Sequence, residues 1–512
     1  GDVYKRQKWA YHNIVSRLYI GKSFCTLLGL FVILLIFLLG VVMSVLSKSA
    51  CGLLVSALMV THTYASELSQ AQFDSCLNSL RANFASRGVS GATFDRYRPV
   101  APDDSVIKAL NYQPEFKKPV WDYLASLVDE ERVADGINAK NRHLETLRQI
   151  ERRYGVDMHD VLGVWGVESN FGQTLGKKPL FDSLATLSCF DRRQSYFRGE
   201  FANALKIVQN GDIYPSDMTG SWAGAFGQTQ FMPSAFLELA TDFDGDGRRD
   251  IVRSVPDALA STANFLAKKG YKTGEPWGFE VKKPAGVTAT SNRKNKKPMS
   301  HWRSLGYTLA DGRPLPNTLP SAGLLAPAGS NGPLFLVGKN FDTFYAYNAS
   351  ESYALAIAQL SDLIAKNQAY NVGFSTPWPT DDAGISRREA RAIQQALINH
   401  GYDIGVVDGI IGDGTRAAIK DYQRKMGVSA DGRAGQRFYR LIMANTSPNT
   451  GTVSLQAPHP VPVQSTTVPR GQVWQGTQVV ATPSASSPAS GVRQYRVVTN
   501  EQGQRQLVLI SQ

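Results

Sequence analysis

The chain has 512 residues, 43% of them hydrophobic, and a formal net charge of +12. That length exceeds one ordinary domain, and the apolar content is enough for a sizeable core, so two or three domains are expected. Residues 1–65 hold part of the positive excess, leaving +7 spread over residues 66–512; this can attract an acidic polymer or surface, but no basic-aromatic platform is present and nucleic acid is excluded as a partner.

The N-terminus comes first. No charge occurs from Ser23 to Ser47, a run long enough to span a bilayer, and a second uncharged run follows Lys48 as far as Ser66. Read literally, the first run is a transmembrane anchor and gives membrane association. Read from Met43, Lys48 is a basic n-region, Ala50 to Val60 a short apolar core, and Thr63-Tyr64-Ala65 a small-residue cleavage site. We adopt the second reading: residues 43–65 are a signal peptide, and residues 1–42 are upstream sequence that the native protein lacks. Lys48 stands where a lipidation motif wants an aliphatic residue, so Cys51 is not expected to carry lipid. Either way the bulk of the chain leaves the cytoplasm.

Two of the four cysteines, Cys25 and Cys51, fall in this leader. The remaining pair, Cys76 and Cys189, is a candidate disulfide in an oxidising compartment. Such a bridge closes a long loop, worth about 4–5 kcal/mol in the chain-entropy model. Two buried free thiols are the alternative.

From Gln70 to about Ile364 the apolar spacing is helical, as in Phe73-Cys76-Leu77-Leu80, Leu144-Leu147-Ile150 and Ala258-Ala263-Leu266. Between Glu280 and Asn340 the periodicity fades, and the basic cluster "NRKNKK" reads as a solvated loop beside a small strand-containing subdomain, or as a docking patch for an acidic polymer. Residues 373–385 are a Pro-punctuated linker. A compact unit over 386–444 opens with a capping box, Ser386 with Glu389, and should hold three short helices. Residues 445–512 are rich in Ser, Thr, Pro and Gln and are expected to be disordered, with a hairpin-like alternation only at the end.

Three stretches carry chemistry. In "VWGVESNFG", helical geometry puts Glu168 on the same face as Val161, Val164 and Trp165. Burial there penalises the ionised form and raises the pKa, as a general acid needs near neutral pH; a buried Glu satisfied by Arg or backbone donors is the bland alternative. Gly172 is read as ending that helix and letting a ligand approach. "GSWAGAFGQTQFMPSAF" is dense in small residues, which would let a polymer come close to the backbone. Its Gln228 and Gln230 offer amides suited to sugar hydroxyl and N-acetyl groups. Third, "DFDGDGRRD" places Asp242, Asp244, Asp246 and Asp250 at positions 1, 3, 5 and 9 of an EF-hand-like loop, with the Arg248 carbonyl at position 7. Arg253 stands where the bidentate acid belongs, and Asp257 is the group that can reach back. A structural Ca²⁺ is expected, and no organic cofactor.

Together, in this order, the three motifs resemble the membrane-bound lytic murein transglycosylase B family over roughly Phe73 to Ala365. The resemblance implies a mainly α (α+β) fold, a lysozyme-like catalytic domain with a small strand-containing subdomain, over residues 66–372. It implies Glu168 as the sole acid/base, cleaving between N-acetylmuramic acid and N-acetylglucosamine with formation of a 1,6-anhydro ring. It further implies substrate-cleft roles for Tyr347, Asn348 and Tyr353 in "FYAYNASESYALA", for the paired Arg192 and Arg193 in "CFDRRQSYF", and for Ser221 and Gln230. Trp222 departs from the Tyr of many relatives. Residues 386–444 resemble the three-helix peptidoglycan-binding domain through Asp408, Gly409, Gly412 and Thr415, then Ala418, Ile419, Tyr422 and Gln423. The expected partner is peptidoglycan, the expected compartment the periplasm, and the expected state a monomer. A hydrolytic muramidase on the same scaffold and a non-catalytic wall-binding protein are the competing readings.

Overall fold

The computed structural model describes residues 69–110, 118–370, 372–445, 494–499 and 505–511. The expected leader, residues 1–65, and nearly all of the expected disordered tail lie outside them. Among the described residues no helix is long and apolar enough to cross a membrane.

The body opens with helices α1 (Gln70–Ala85), α2 (Gly91–Tyr97), α3 (Asp104–Leu110), α4 (Val120–Leu127), α5 (Glu130–Arg142) and α6 (Leu144–Tyr154), followed by α7 (Met158–Ser169). Strand β1 (Lys178–Pro179), α8 (Leu180–Phe190), α9 (Gln194–Gln209), β2 (Thr219–Gly220), α10 (Pro233–Leu239) and α11 (Val255–Lys268) come next. The expected apolar faces are inside: Phe73, Leu77, Leu80, Leu147, Ile150, Ala258, Ala263 and Leu266 are all buried. Cys76 and Cys189 form a disulfide, Cα–Cα 5.9 Å, that ties α1 to the end of α8.

A five-stranded antiparallel sheet, order β4-β6-β7-β3-β5, is inserted after α11. Its members are β3 (Gly278–Lys282), β4 (Asn292–Pro298), β5 (Thr308–Leu309), β6 (Ser321–Leu325) and β7 (Leu334–Val337), with α12 (Met299–Ser304) between β4 and β5. The "NRKNKK" cluster is therefore strand β4, not a loop. It lies at an edge, where charged side chains discourage further pairing. Arg293, 5% exposed, turns inward to bond Asp342 and Glu351 at 2.9 Å each.

Helices α13 (Lys339–Asn348) and α14 (Glu351–Ala365) return to the body. Helix α7 is enclosed, every residue from Asp160 to Gly166 being buried. Its glycines explain how α14 comes so close. A Cβ on Gly163 would stand 2.8 Å from the Ile357 carbonyl oxygen, and one on Gly166 2.7 Å from Leu360 Cδ2.

The expected three helices follow as α15 (Arg387–Asn399), α16 (Asp413–Lys425) and α17 (Gln436–Ala444). They enclose a separate small core of Ile393, Leu397, Ile419, Tyr422, Phe438 and Ile442. Ser386 and Glu389 form the capping box in both directions. Gly412, without a side-chain cap, precedes α16, so neither Asp413 nor Thr415 caps it. The terminal segment forms a unit of its own, an antiparallel pair β8 (Gln494–Thr499) and β9 (Arg505–Ser511).

Candidate active site

The C-terminal turn of α7 delivers Glu168. The helix stops one residue later because Asn170 and Phe171 adopt left-handed φ of 50° and 57°, with Gly172 at 81°. Two consecutive non-glycine residues in that region are costly unless the surroundings enforce them. The enforcement comes from the segment Gly220–Phe236. Ser169 Oγ donates to the Gln228 carbonyl and accepts from Gly172 N at 2.9 Å, while Trp165 Nε1 donates to Gln228 Oε1 at 3.2 Å. Gln228 Nε2 in turn donates to the Val252 carbonyl at 3.0 Å.

Two expectations change here. The Gln228 amide is spent inside the protein and is not offered to a sugar. Gly172 does not open a path for ligand, since a Cβ on it would lie 2.7 Å from Gln228 Oε1. The small residues of the Gly-Ala segment are likewise used by the protein's own packing: Cβ atoms on Gly220, Gly224 and Gly227 would meet Ala225 O at 2.1 Å, Leu184 Cδ2 at 2.4 Å and Ile251 Cγ1 at 2.7 Å.

Glu168 keeps some solvent-accessible surface. Burial nonetheless pushes its carboxyl up to about 8, against the opposing hydrogen bond from Tyr353. The Tyr353 hydroxyl donates to Glu168 Oε1. Among the described residues no charged side chain contributes to that shift. Tyr353 enters from the first turn of α14, whose N-cap is Ser350. Tyr347, near the end of α13, stacks on Tyr353 with ring centroids 6.3 Å apart and donates its hydroxyl to the Thr229 carbonyl at 2.7 Å. Burial, then the Glu168 charge, raises both phenols well above their ordinary range, so both act as donors. The elbow between the two helices turns on Ala349, φ 49°.

The remaining candidates are placed as follows. Asn348 is exposed at the end of α13. Ser221 is half-buried, its Oγ accepting from Ala225 N at 3.0 Å, and Gln230 Nε2 donates to the carbonyls of Leu175 and Gly227. Arg192 is exposed and Arg193 half-buried in the turn between α8 and α9, where Arg193 lies 3.5 Å from Asp191 and over the Phe197 ring. Among the described residues no ion pair joins either arginine to Glu168.

Sequence reasoning missed Asp160, a second buried acid on α7. It accepts from the hydroxyls of Ser361 and Tyr271, and burial pushes its pKa to about 7. The signal was available, because residues 160, 164 and 168 recur at the helical spacing that singled out Glu168.

In the acidic loop, Asp242, Asp244 and Asp257 bring carboxylate oxygens within 4.8 Å of one another. Asp242 also accepts from Gly245 N and Gly247 N, and Asp246 from Arg248 N. Buried Asp250 accepts from Val252 N and Arg253 N at 2.9 Å. Asp257, fully buried on α11, accepts from Phe243 N and Asp250 N and so reaches back to the loop. Three hard oxygen donors at this spacing fit a calcium-sized ion.

Comparison with known proteins identifies the family. The model of the transglycosylase SLT domain matches residues 72–362, and that of a peptidoglycan binding domain matches residues 386–442. The chain is 30% identical over 272 residues to membrane-bound lytic murein transglycosylase B of Escherichia coli K12, covering 51% of this chain and 74% of that protein. SltB3 from Pseudomonas aeruginosa, solved in complex with NAG-anhNAM-pentapeptide, is 41% identical, with a TM-score of 0.58 over 72% of this chain and 99% of that one. Slt35 from Escherichia coli, solved in complex with calcium, is 28% identical, with a TM-score of 0.51 over 57% of this chain and 93% of that one. The chain belongs to the transglycosylase SLT family, enzymes that act on peptidoglycan, and carries a peptidoglycan-binding domain behind its catalytic body.

Proposed function

We propose that Glu168 is the single acid and base of a lytic cleavage between N-acetylmuramic acid and N-acetylglucosamine. The observation that supports this most is the carboxyl itself: reachable from solvent, held protonated near neutral pH by burial, and hydrogen-bonded by Tyr353 with no charged neighbour contributing. Protonated Glu168 gives its proton to the glycosidic oxygen as the C1–O bond breaks. The substrate's N-acetyl group stabilises the cation that develops. The ionised carboxylate, stabilised by the Tyr353 hydroxyl, then takes the proton of the muramoyl C6 hydroxyl as its oxygen bonds to C1. Glu168 ends as it began, no water is consumed, and the product carries a 1,6-anhydro ring. An intramolecular hydroxyl competes well with solvent, because effective molarities of well-placed groups reach roughly 10⁵ M or more.

Tyr347 shapes the wall beside the acid. Ser221, Gln230, Asn348, Arg192 and Arg193 are the groups we assign to the glycan and its peptide. Asp242, Asp244 and Asp257 would hold a structural Ca²⁺, with Asp246, Asp250 and the Arg248 carbonyl around it; bound, the ion would neutralise the acids and stiffen the loop. That loop matters to the site because Ile251 O and Val252 O hold Gln228, and Gln228 holds the end of α7. The three-helix unit keeps the enzyme on the wall and raises local substrate concentration. We place the enzyme in the periplasm, acting as a monomer. Glu168→Gln tests the assignment: turnover of purified sacculi should fall by about 10²–10⁴-fold while sedimentation with them persists. Near-wild-type turnover would put the acid elsewhere.

A further inference from the structure

The linker is not all that joins the three-helix unit to the catalytic body. Asp129, 1% exposed, is the N-cap of α5, accepting from Arg132 N at 2.7 Å. The same carboxylate accepts three donors from Arg387, the first residue of α15: its backbone N at 3.2 Å, Nε at 2.8 Å and Nη2 at 2.9 Å. One carboxylate thus serves the open N–H groups of two helices, one in each unit. Arg387 also lies 3.9 Å from Asp135, and Arg391 beside it pairs with Glu131.

On its other side this cluster reaches α7. Arg132, 8% exposed, donates through Nη1 to the Gly166 carbonyl at 3.2 Å. Gly166 stands two residues before Glu168. Arg387 decides how Arg132 is shared. With Asp129 taken by Arg387, and two guanidinium groups repelling each other, Arg132 is left to the Gly166 carbonyl. Without Arg387, Asp129 would be a buried, under-paired carboxylate and would draw Arg132 toward itself.

We propose that Arg387 is a positioning residue for Glu168: by occupying Asp129 it keeps Arg132 on the Gly166 carbonyl in the last turn of α7, so the wall-binding unit sets the aim of the catalytic acid as well as tethering the enzyme. The inference rests on Glu168 being the acid/base. It is tested by steady-state kinetics of the full chain on a soluble MurNAc–GlcNAc oligosaccharide, for which wall tethering plays no part. Arg387→Ala should lower kcat about tenfold, within the range of coupled contact networks, and leave KM within about twofold. Arg387→Lys, which keeps charge and stem but not the fork, should retain about a third of wild-type kcat. Arg437→Ala, which breaks the exposed pair between Arg437 of the same unit and Asp381 of the linker, should change neither constant. Wild-type kcat in Arg387→Ala, a loss confined to KM, or a loss seen only with intact sacculi overturns the proposal. If Arg387→Ala does not fold, Arg387→Lys decides, and wild-type kcat there overturns it equally. Glu168→Gln measured in parallel separates the two failures, since near-wild-type turnover in that variant sinks the acid assignment whatever Arg387 does.

Discussion

The two ends of α7 carry the same kind of group in two kinds of setting. Asp160 and Glu168 sit two helical turns apart, both are pushed up by burial, and each accepts a hydrogen bond from a tyrosine hydroxyl. Asp160 is sealed, 7% exposed and closed in by Tyr271 and Ser361. Glu168 opens to solvent beside the loop Gly220–Phe236. A raised carboxyl pKa therefore does not by itself make a catalytic acid. Access does, together with a hydroxyl that can stabilise the ionised form mid-reaction.

Parallel amide substitutions test that difference most severely. Glu168→Gln should lower kcat on sacculi by about 10²–10⁴-fold, whereas Asp160→Asn should stay within about twofold; equal losses would erase the distinction. The next effect belongs to Tyr353→Phe. Its hydroxyl lowers the Glu168 pKa, so its loss should move the alkaline limb of the kcat profile above its wild-type midpoint near pH 8 and cost about 10- to 100-fold in kcat, the worth of one hydrogen bond to a charged group. An unmoved limb would show that the hydroxyl does not sense the acid.

Stability should treat the two acids alike. Each folded-state pKa is raised, so the contribution of each to stability is complete below its ordinary carboxylate range and is lost as pH rises through about 8 for Glu168 and about 7 for Asp160. Both amide variants should therefore gain on wild type between pH 5 and 8, by about a few degrees in Tm. A gain in only one would mean that the burial of the other is relieved by water. The smallest effect concerns the acidic loop. Chelation of calcium should lower Tm by about a few degrees, as removal of any ligand of the folded state does. Asp244→Asn should abolish that response more fully than Asp246→Asn, because only Asp244 belongs to the close cluster.

What could be seen in the sequence divides along physical lines. Glu168 was visible because local helical geometry alone puts a carboxylate on an apolar face. The capping box and the three helices behind it were visible for the same reason. Asp257 could be suspected because it lies one helical turn beyond the loop. The glycines of the Gly-Ala segment looked like room for a ligand, but a sequence does not say whose atoms fill the space, and here they are Leu184, Ile251 and Ala225. "NRKNKK" hid a strand because its inward residues are basic; their partners, Asp342 and Glu351, are about fifty residues away. Asp129 and Arg387 are 258 apart in sequence and nothing local marks them as partners. Contacts made within a few turns were legible, and those made by tertiary closure were not.

The most direct measurement is the mass of the products released from purified sacculi in H₂¹⁸O. Muropeptides ending in a 1,6-anhydro ring, one water lighter than reducing ends and free of ¹⁸O, are the expected result. Reducing termini carrying solvent oxygen would contradict a single acid that returns its proton without water.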